Sequence, residues 1–177
     1  MHDRDIATKF IADRMLGRLT AWLRLLGYDT ISANEQRVKT GEDDFLLSTA
    51  KKEGRVIVSR DRELASRAKA RGVQAILIHS DDVISQLKEV NSHFNLNFEV
   101  KMIRCTICNS PIRTVRAEEM EVVKAKEYVF PDLLERNTEF WICDNCKQVY
   151  WEGSHWNNIQ KTVEELRKHL GGGERRI

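Results

Sequence analysis

No apolar run in this 177-residue chain approaches the length needed to cross a bilayer. The opening stretch MHDRDIATKF has no apolar core, so no secretory signal is expected there. That points to the cytoplasm, where thiols stay reduced. Repeats and low-complexity tracts are missing as well. An excess of either charge is also lacking, since 29 Lys and Arg against 27 Asp and Glu leave a net +2. Any attraction to nucleic acid must therefore come from local patches. Cysteine is confined to four residues, with none left over.

Those four stand as two matched pairs, Cys105-x-x-Cys108 and Cys143-x-x-Cys146. A two-residue gap lets one tight turn aim both sulfurs at one ion, so two such pairs supply the four thiolates of a closed tetrahedral Zn²⁺ site. Two local disulfides or a redox pair are the competing readings, and a reducing compartment favours metal. The last third is expected to be a zinc ribbon. The 34 residues between the pairs exceed the gap of a compact ribbon, so an insertion is expected there.

The chain is long enough for one ordinary domain plus a small appendage, and 41% hydrophobic residues suffice for a core. In the first hundred residues apolar strand-like runs alternate with helical periods, the pattern of a parallel α/β sheet. Strands are predicted at 9–13, 28–32, 55–59 and 73–79. Helices are predicted at 14–26, 43–53, 62–71 and 83–94. Asp13 is a good N-cap and Gly27 a good C-cap for the first helix, whose apolar side includes Trp22. The run RVIVS (55–59) is almost wholly apolar, as a strand covered on both faces must be.

In open α/β sheets the ligand site lies beyond the C-terminal strand ends, and carboxylates arrive at that edge from separate parts of the chain. Asp13 ends the first strand, Asp61 follows RVIVS, and Asp81 with Asp82 follow the fourth strand. Asp43 or Asp44 opens the second helix and points the same way. Clustered carboxylates repel one another unless a cation sits among them, and oxygen ligands select Mg²⁺ or Mn²⁺. Such a nest polarises a phosphodiester and lowers the pKa of an attacking water. Helix capping is the simpler role for each acid taken alone, and for Asp81 and Asp82, in the turn HSDDV, it is preferred.

The stretch DDFLLSTAKKEGRVIVSRDREL (43–64) resembles the segment of PIN-domain ribonucleases in which an acid opens a helix ending in alanine, followed by a strand and a Ser-x-Asp turn. With FIADRMLGRLTAWLRLLGYDT (10–30) and CKQVYWEGSHW (146–156), the chain over residues 9–160 resembles the Mut-seven C-terminal RNase domain family, a PIN-like nuclease fused to a zinc ribbon. The resemblance implies an α/β PIN-like parallel sheet with flanking helices, and Asp13, Asp43 and Asp61 as ligands of a catalytic Mg²⁺ or Mn²⁺. It selects Asp43 over Asp44. The chain departs from many PIN nucleases where they carry a further glutamate, since Glu35 and Glu42 are weak substitutes.

Basic residues supply a substrate surface. Arg14 and Arg18 lie one turn apart at the positive end of the first helix, and Arg60 and Arg62 bracket Asp61; all four are expected to hold RNA phosphates. Arg67, Lys69 and Arg71 read as a solvated face with surface salt bridges. Trp141, Tyr150, Trp151 and Trp156 surround the second cysteine pair, where core packing is preferred over base stacking. His155 reads as structural. Residues 117–136 read as a helix, a break at Pro131 and another helical turn, forming a solvated arm. A charged helix is predicted at 157–170, and GGGERRI is expected to be disordered.

The expected organisation is a nuclease domain at 1–100, a zinc ribbon with its inserted arm at 101–160, and a C-terminal helix and tail at 161–177. The expected function is metal-dependent hydrolysis of RNA, with the ribbon aiding RNA binding and no role at a membrane. A non-catalytic RNA- or ribosome-binding module, whose acids only cap helices, is the alternative. A phosphoacceptor domain is disfavoured because HSDD (79–82) offers no lysine after the fourth strand.

Overall fold

The computed structural model describes residues 8–35, 41–136 and 138–171. Four short parallel strands, β1 (Lys9–Ala12), β2 (Thr30–Ser32), β3 (Arg55–Ser59) and β4 (Ala75–Leu77), form a sheet in the order β2-β1-β3-β4. β1 aligns Phe10 with Thr30 on one side and with Val56 on the other. All five residues of β3 are buried, as its run of β-branched side chains requires. β2 and β4 are shorter than predicted because only three residues of each pair in the sheet.

Helices cover both faces. The face carrying Phe10, Ala12, Val56, Val58 and Ile76 packs against α1 (Gly17–Leu25) and α4 (Val83–Phe94), through Leu19, Leu23, Leu87 and Val90. The face carrying Ile11 and Ile57 packs against α2 (Glu42–Glu53) and α3 (Arg62–Ala70), through Leu46, Leu47, Ala50, Leu64 and Ala68. Alternation along β1 and β3 sends successive side chains to opposite cores. The predicted first helix opens with a 3-10 turn at Arg14–Leu16 before α1 begins. Trp22 is half-buried and packs against the first of these cores.

A second, antiparallel sheet contains β5 (Ile112–Thr114), β6 (Phe140–Cys143) and β7 (Val149–Trp151). The arm between the cysteine pairs holds α5 (Met120–Lys124) and α6 (Pro131–Glu135), with Pro131 opening the latter in the first helical turn. The arm is not wholly solvated, contrary to expectation. Val123 and Val129 are buried with Phe140, Ile142 and Val149, because a three-stranded sheet needs something to cover its apolar face. This small core is built mainly from aliphatic side chains, and Trp141, Tyr150, Trp151 and Trp156 are only half-buried, so the preference for core packing of these rings is met in part.

The last helix, α7 (Ser154–Gly171), starts three residues ahead of the expected 157. Its Val163 and Leu166 are fully buried in the core formed by α1 and α4. The charged sequence hides this apolar stripe. The remainder of the expected disordered tail, 172–177, lies outside the described residues.

The ribbon is fastened to the parallel sheet by polar contacts. Arg24, on α1, is 1% exposed. Its Nε and one terminal nitrogen donate to the Thr30 carbonyl, and the other terminal nitrogen donates to the carbonyls of Thr106 and Ile107 inside the first cysteine turn. Glu35 closes the set with an ion pair of 2.6 Å. Asn109 accepts from the Thr30 N–H and donates to Asp29, which itself pairs with Arg55 at 2.8 Å. At the open edge of β2, Thr30 is thus satisfied by Asn109 of the ribbon and by Arg24 of α1.

Candidate functional site

β1 and β3 are neighbours and parallel, so the residues that follow them emerge together at one sheet edge. Asp13 follows β1 and is only 8% exposed. Its Oδ1 accepts from the Met15 N–H at 2.9 Å, which is its capping role. Its Oδ2 accepts from the Ser59 hydroxyl at 2.5 Å and from the Arg60 N–H at 2.9 Å. The same Ser59 oxygen accepts from the Asp61 N–H at 2.9 Å. One buried hydroxyl therefore ties the first-strand acid to the turn acid. Asp61 is exposed and caps α3, accepting at Oδ1 from the N–H groups of Glu63 and Leu64.

Asp43 opens α2, as expected, but its carboxylate is joined to Arg67 of α3 at 2.6 Å. Arg67 also pairs with Asp44, as does Arg71. Those are the surface ion pairs foreseen for Arg67 and Arg71, with Asp43 as one partner. Asp13, Asp43 and Asp61 do not come together as closely as the cysteines. Among the described residues, the four cysteines form the one group of three or more His, Cys, Asp or Glu whose ligand atoms all lie within 4.8 Å of one another. Glu35 is held by Arg24 and Glu42 by Arg14, so neither stands in the acid pair.

The basic residues divide. Arg14, Arg18 and Arg62 are exposed, with Arg14 paired to Glu42. The Arg60 guanidinium turns away to Asp81 at 2.6 Å. Asp82 caps α4 through the Ser85 N–H, the role preferred for it. Reading by residue type missed Ser59, the hub of the acid pair. The Ser-x-Asp turn that carries it was the signal available. Asn34 was also missed; its side-chain amide donates to the Arg14 carbonyl at 2.9 Å and fixes the turn that follows Asp13.

The cysteine cluster is built from two like turns. In each, the residue after the second cysteine has a left-handed backbone, Asn109 at φ 65° and Lys147 at φ 60°. Each of these donates its N–H to the carbonyl of the first cysteine, at 3.0 and 2.8 Å. The sulfurs of Cys105 and Cys146, and those of Cys108 and Cys143, lie 3.5 Å apart. Thiolates held about 2.3 Å from a tetrahedral zinc sit about 3.8 Å from one another, so the cluster fits that ion and could hold it. Tyr150 adds an outer contact, its hydroxyl lying 3.1 Å from the Cys105 sulfur and accepting from the Thr106 N–H.

The free thiols differ in acidity. Burial pushes Cys146 up to about 12, with hydrogen bonds from the other thiols adding to it. Burial likewise raises Cys143. For Cys108 burial is outweighed by hydrogen bonds from Ser110 and Asn145, which bring it down to about 6. Beside the cluster, burial alone would raise Asp29, but the Arg55 guanidinium and the Asn109 amide hold it below its ordinary 3.8.

The fold and the two sites define a parallel α/β protein with carboxylates at its strand ends and a four-cysteine ribbon. The family model for the Mut7-C RNAse domain matches residues 8–163, and the chain belongs to that family. Membership carries a nuclease-like role, with RNA as the substrate that the family name implies. Nothing matches the chain among curated proteins or among solved structures. Among the described residues, no helix is long and apolar enough to cross a membrane.

Proposed function

We propose that this chain is a metal-dependent ribonuclease with a PIN-like nuclease unit at 1–100 and a structural zinc ribbon at 101–160 that aids RNA binding. The observation that carries this reading is the Ser59 bridge between Asp13 and Asp61 at the C-terminal ends of adjacent parallel strands. An all-oxygen donor set suits Mg²⁺ or Mn²⁺, and Mg²⁺ commonly takes one or two carboxylates and keeps its remaining waters. Asp13 and Asp61 would hold the ion, with Asp43 joining them once Arg67 releases it. The ion supplies activation of water and neutralisation of charge on the phosphodiester.

The chain's own residues do the rest. Ser59 and the Arg60 N–H hold the Asp13 carboxylate in one orientation. Arg18 and Arg62 are exposed and would bind and align phosphates, and Arg14 joins them if it exchanges Glu42 for phosphate. Arg60 joins them if it exchanges Asp81 for phosphate. The four cysteines hold Zn²⁺ and keep the ribbon in place against β2.

The test is cutting of single-stranded RNA by the zinc-loaded chain in Mn²⁺. Asp13→Asn and Asp61→Asn should each slow it at least about 100-fold, the scale on which removal of one preorganised polar group acts. A second reading has its own support, because both acids cap helices in this structure. Under it the chain is a non-catalytic RNA-binding module that retains RNA and cuts none.

A further inference from the structure

The arm, the ribbon and the start of α7 enclose a groove of about 1020 Å³ that the acid site does not use. Its walls carry the rings of Tyr128, Phe130, Tyr150, Trp151 and Trp156, with His155 beside them. Tyr128 and Trp151 lie nearly parallel, 12° apart with centroids at 6.2 Å. Phe130 packs little of its ring against the protein and is 64% exposed. A large apolar side chain left in water beside other rings marks a binding surface.

The fringe of the groove says what kind of ligand fits. Thr138, Gln148 and Asn157 are among its lining residues, and hydroxyl and amide groups both donate and accept. Asp132 and Glu152 outnumber Arg136, so the groove carries no net positive charge to draw phosphates inward. Flat aromatic faces with mixed donors and acceptors at their edges match nucleobases, whose phosphates would stay turned to solvent.

Position gives the second argument. Leu25, at the C-terminal end of α1, lines the groove, whereas Asp13, Arg14 and Arg18 stand at the other end of that helical segment. The twelve residues from Asp13 to Leu25 advance roughly 20 Å along the axis. A single RNA strand spans such a gap in a few nucleotides.

We propose that the groove is a nucleobase-stacking site for a single-stranded RNA segment lying a few nucleotides from the scissile phosphodiester. The placement relative to the cut rests on the ribonuclease reading above. The base-stacking role does not.

The test is binding of a labelled single-stranded RNA of about ten nucleotides to the zinc-loaded full chain, without Mg²⁺ or Mn²⁺, read by fluorescence anisotropy. Phe130→Ala and Phe130→Leu should each weaken binding about 5- to 150-fold, and Phe130→Trp should keep it. The dependence of log affinity on log salt should stay the same in these variants, because no phosphate contact is removed. Cutting of a dinucleotide, too short to reach the groove, should proceed at the unaltered rate. Wild-type affinity in Phe130→Ala overturns the proposal. So does wild-type affinity in Phe130→Leu, which would mean that plain apolar contact, as a peptide makes, is enough. The two readings fail separately. If Asp13→Asn cuts RNA normally while Phe130→Ala loses binding, the assignment of the cutting site to Asp13 falls and the stacking site stands.

Discussion

Replacing Arg24 with methionine tests how the ribbon is held. Methionine keeps an unbranched apolar stem in place of the arginine's, so the change removes the guanidinium with its charge and donors while retaining the packing of the stem. Arg24 is 1% exposed and serves the carbonyls of Thr30, Thr106 and Ile107 as well as the Glu35 carboxylate. Methionine leaves those acceptors without their donor. Removing one partner of a buried charged pair costs about 3–5 kcal/mol, because the groups left behind stay desolvated. In a chain of this size each kcal/mol shifts Tm by about 2–4 °C, so the drop should be roughly 6–20 °C. The assay is thermal unfolding followed by near-UV circular dichroism on zinc-loaded protein. Zinc retention against a chelator should weaken in parallel, since the first cysteine turn loses its anchor. A Tm within about 2 °C of the parent, equivalent to under about 1 kcal/mol, would refute the anchoring role.

Zinc capture should carry a proton signature. At neutral pH Cys143 and Cys146 hold their protons, so binding releases at least those two, and apparent affinity should climb steeply between about pH 6 and about pH 8 in a chelator competition. A flat profile would show that the thiols are already ionised. Asp29 predicts a second pH effect. Its folded pKa lies below the unfolded value, so its contribution is fully present above about pH 4 and is lost as pH falls through the folded value. Asp29→Asn should therefore flatten the acid limb of a stability-against-pH curve from urea unfolding. An unchanged acid limb would remove Asp29 from the ribbon's attachment.

The parts of the fold visible in the residues are those fixed by short-range pattern. KFIA and RVIVS announce β1 and β3 because a strand covered on both faces needs unbroken apolar character. Asp13 and Asp61 announce helix starts because a capping carboxylate must sit just before the first turn. The cysteine pairs are legible for the same local reason. What stayed hidden depends on long-range meetings. Arg24 reaches carbonyls 82 and 83 residues away, and nothing in its helical neighbours marks it as buried. Val123 and Val129 looked like parts of a charged arm until the sheet they cover was in place. Val163 and Leu166 were masked by the lysines and glutamates around them. Ser59 was passed over because a hydroxyl at a strand end usually has only a turn to stabilise, and its role depends on Asp13 arriving from the next strand.

The carboxylate site is the central claim, and titration of Mn²⁺ into the zinc-loaded chain by calorimetry addresses it without any need for turnover. The account predicts saturable binding in the parent chain, at least about tenfold weaker in Asp13→Asn or Asp61→Asn, and weakened less by Asp43→Asn, since Asp43 already has Arg67 as its partner. Heat no greater than background in the parent, or equal binding in the parent and in the Asp13→Asn and Asp61→Asn variants, would contradict it and leave both acids as helix caps.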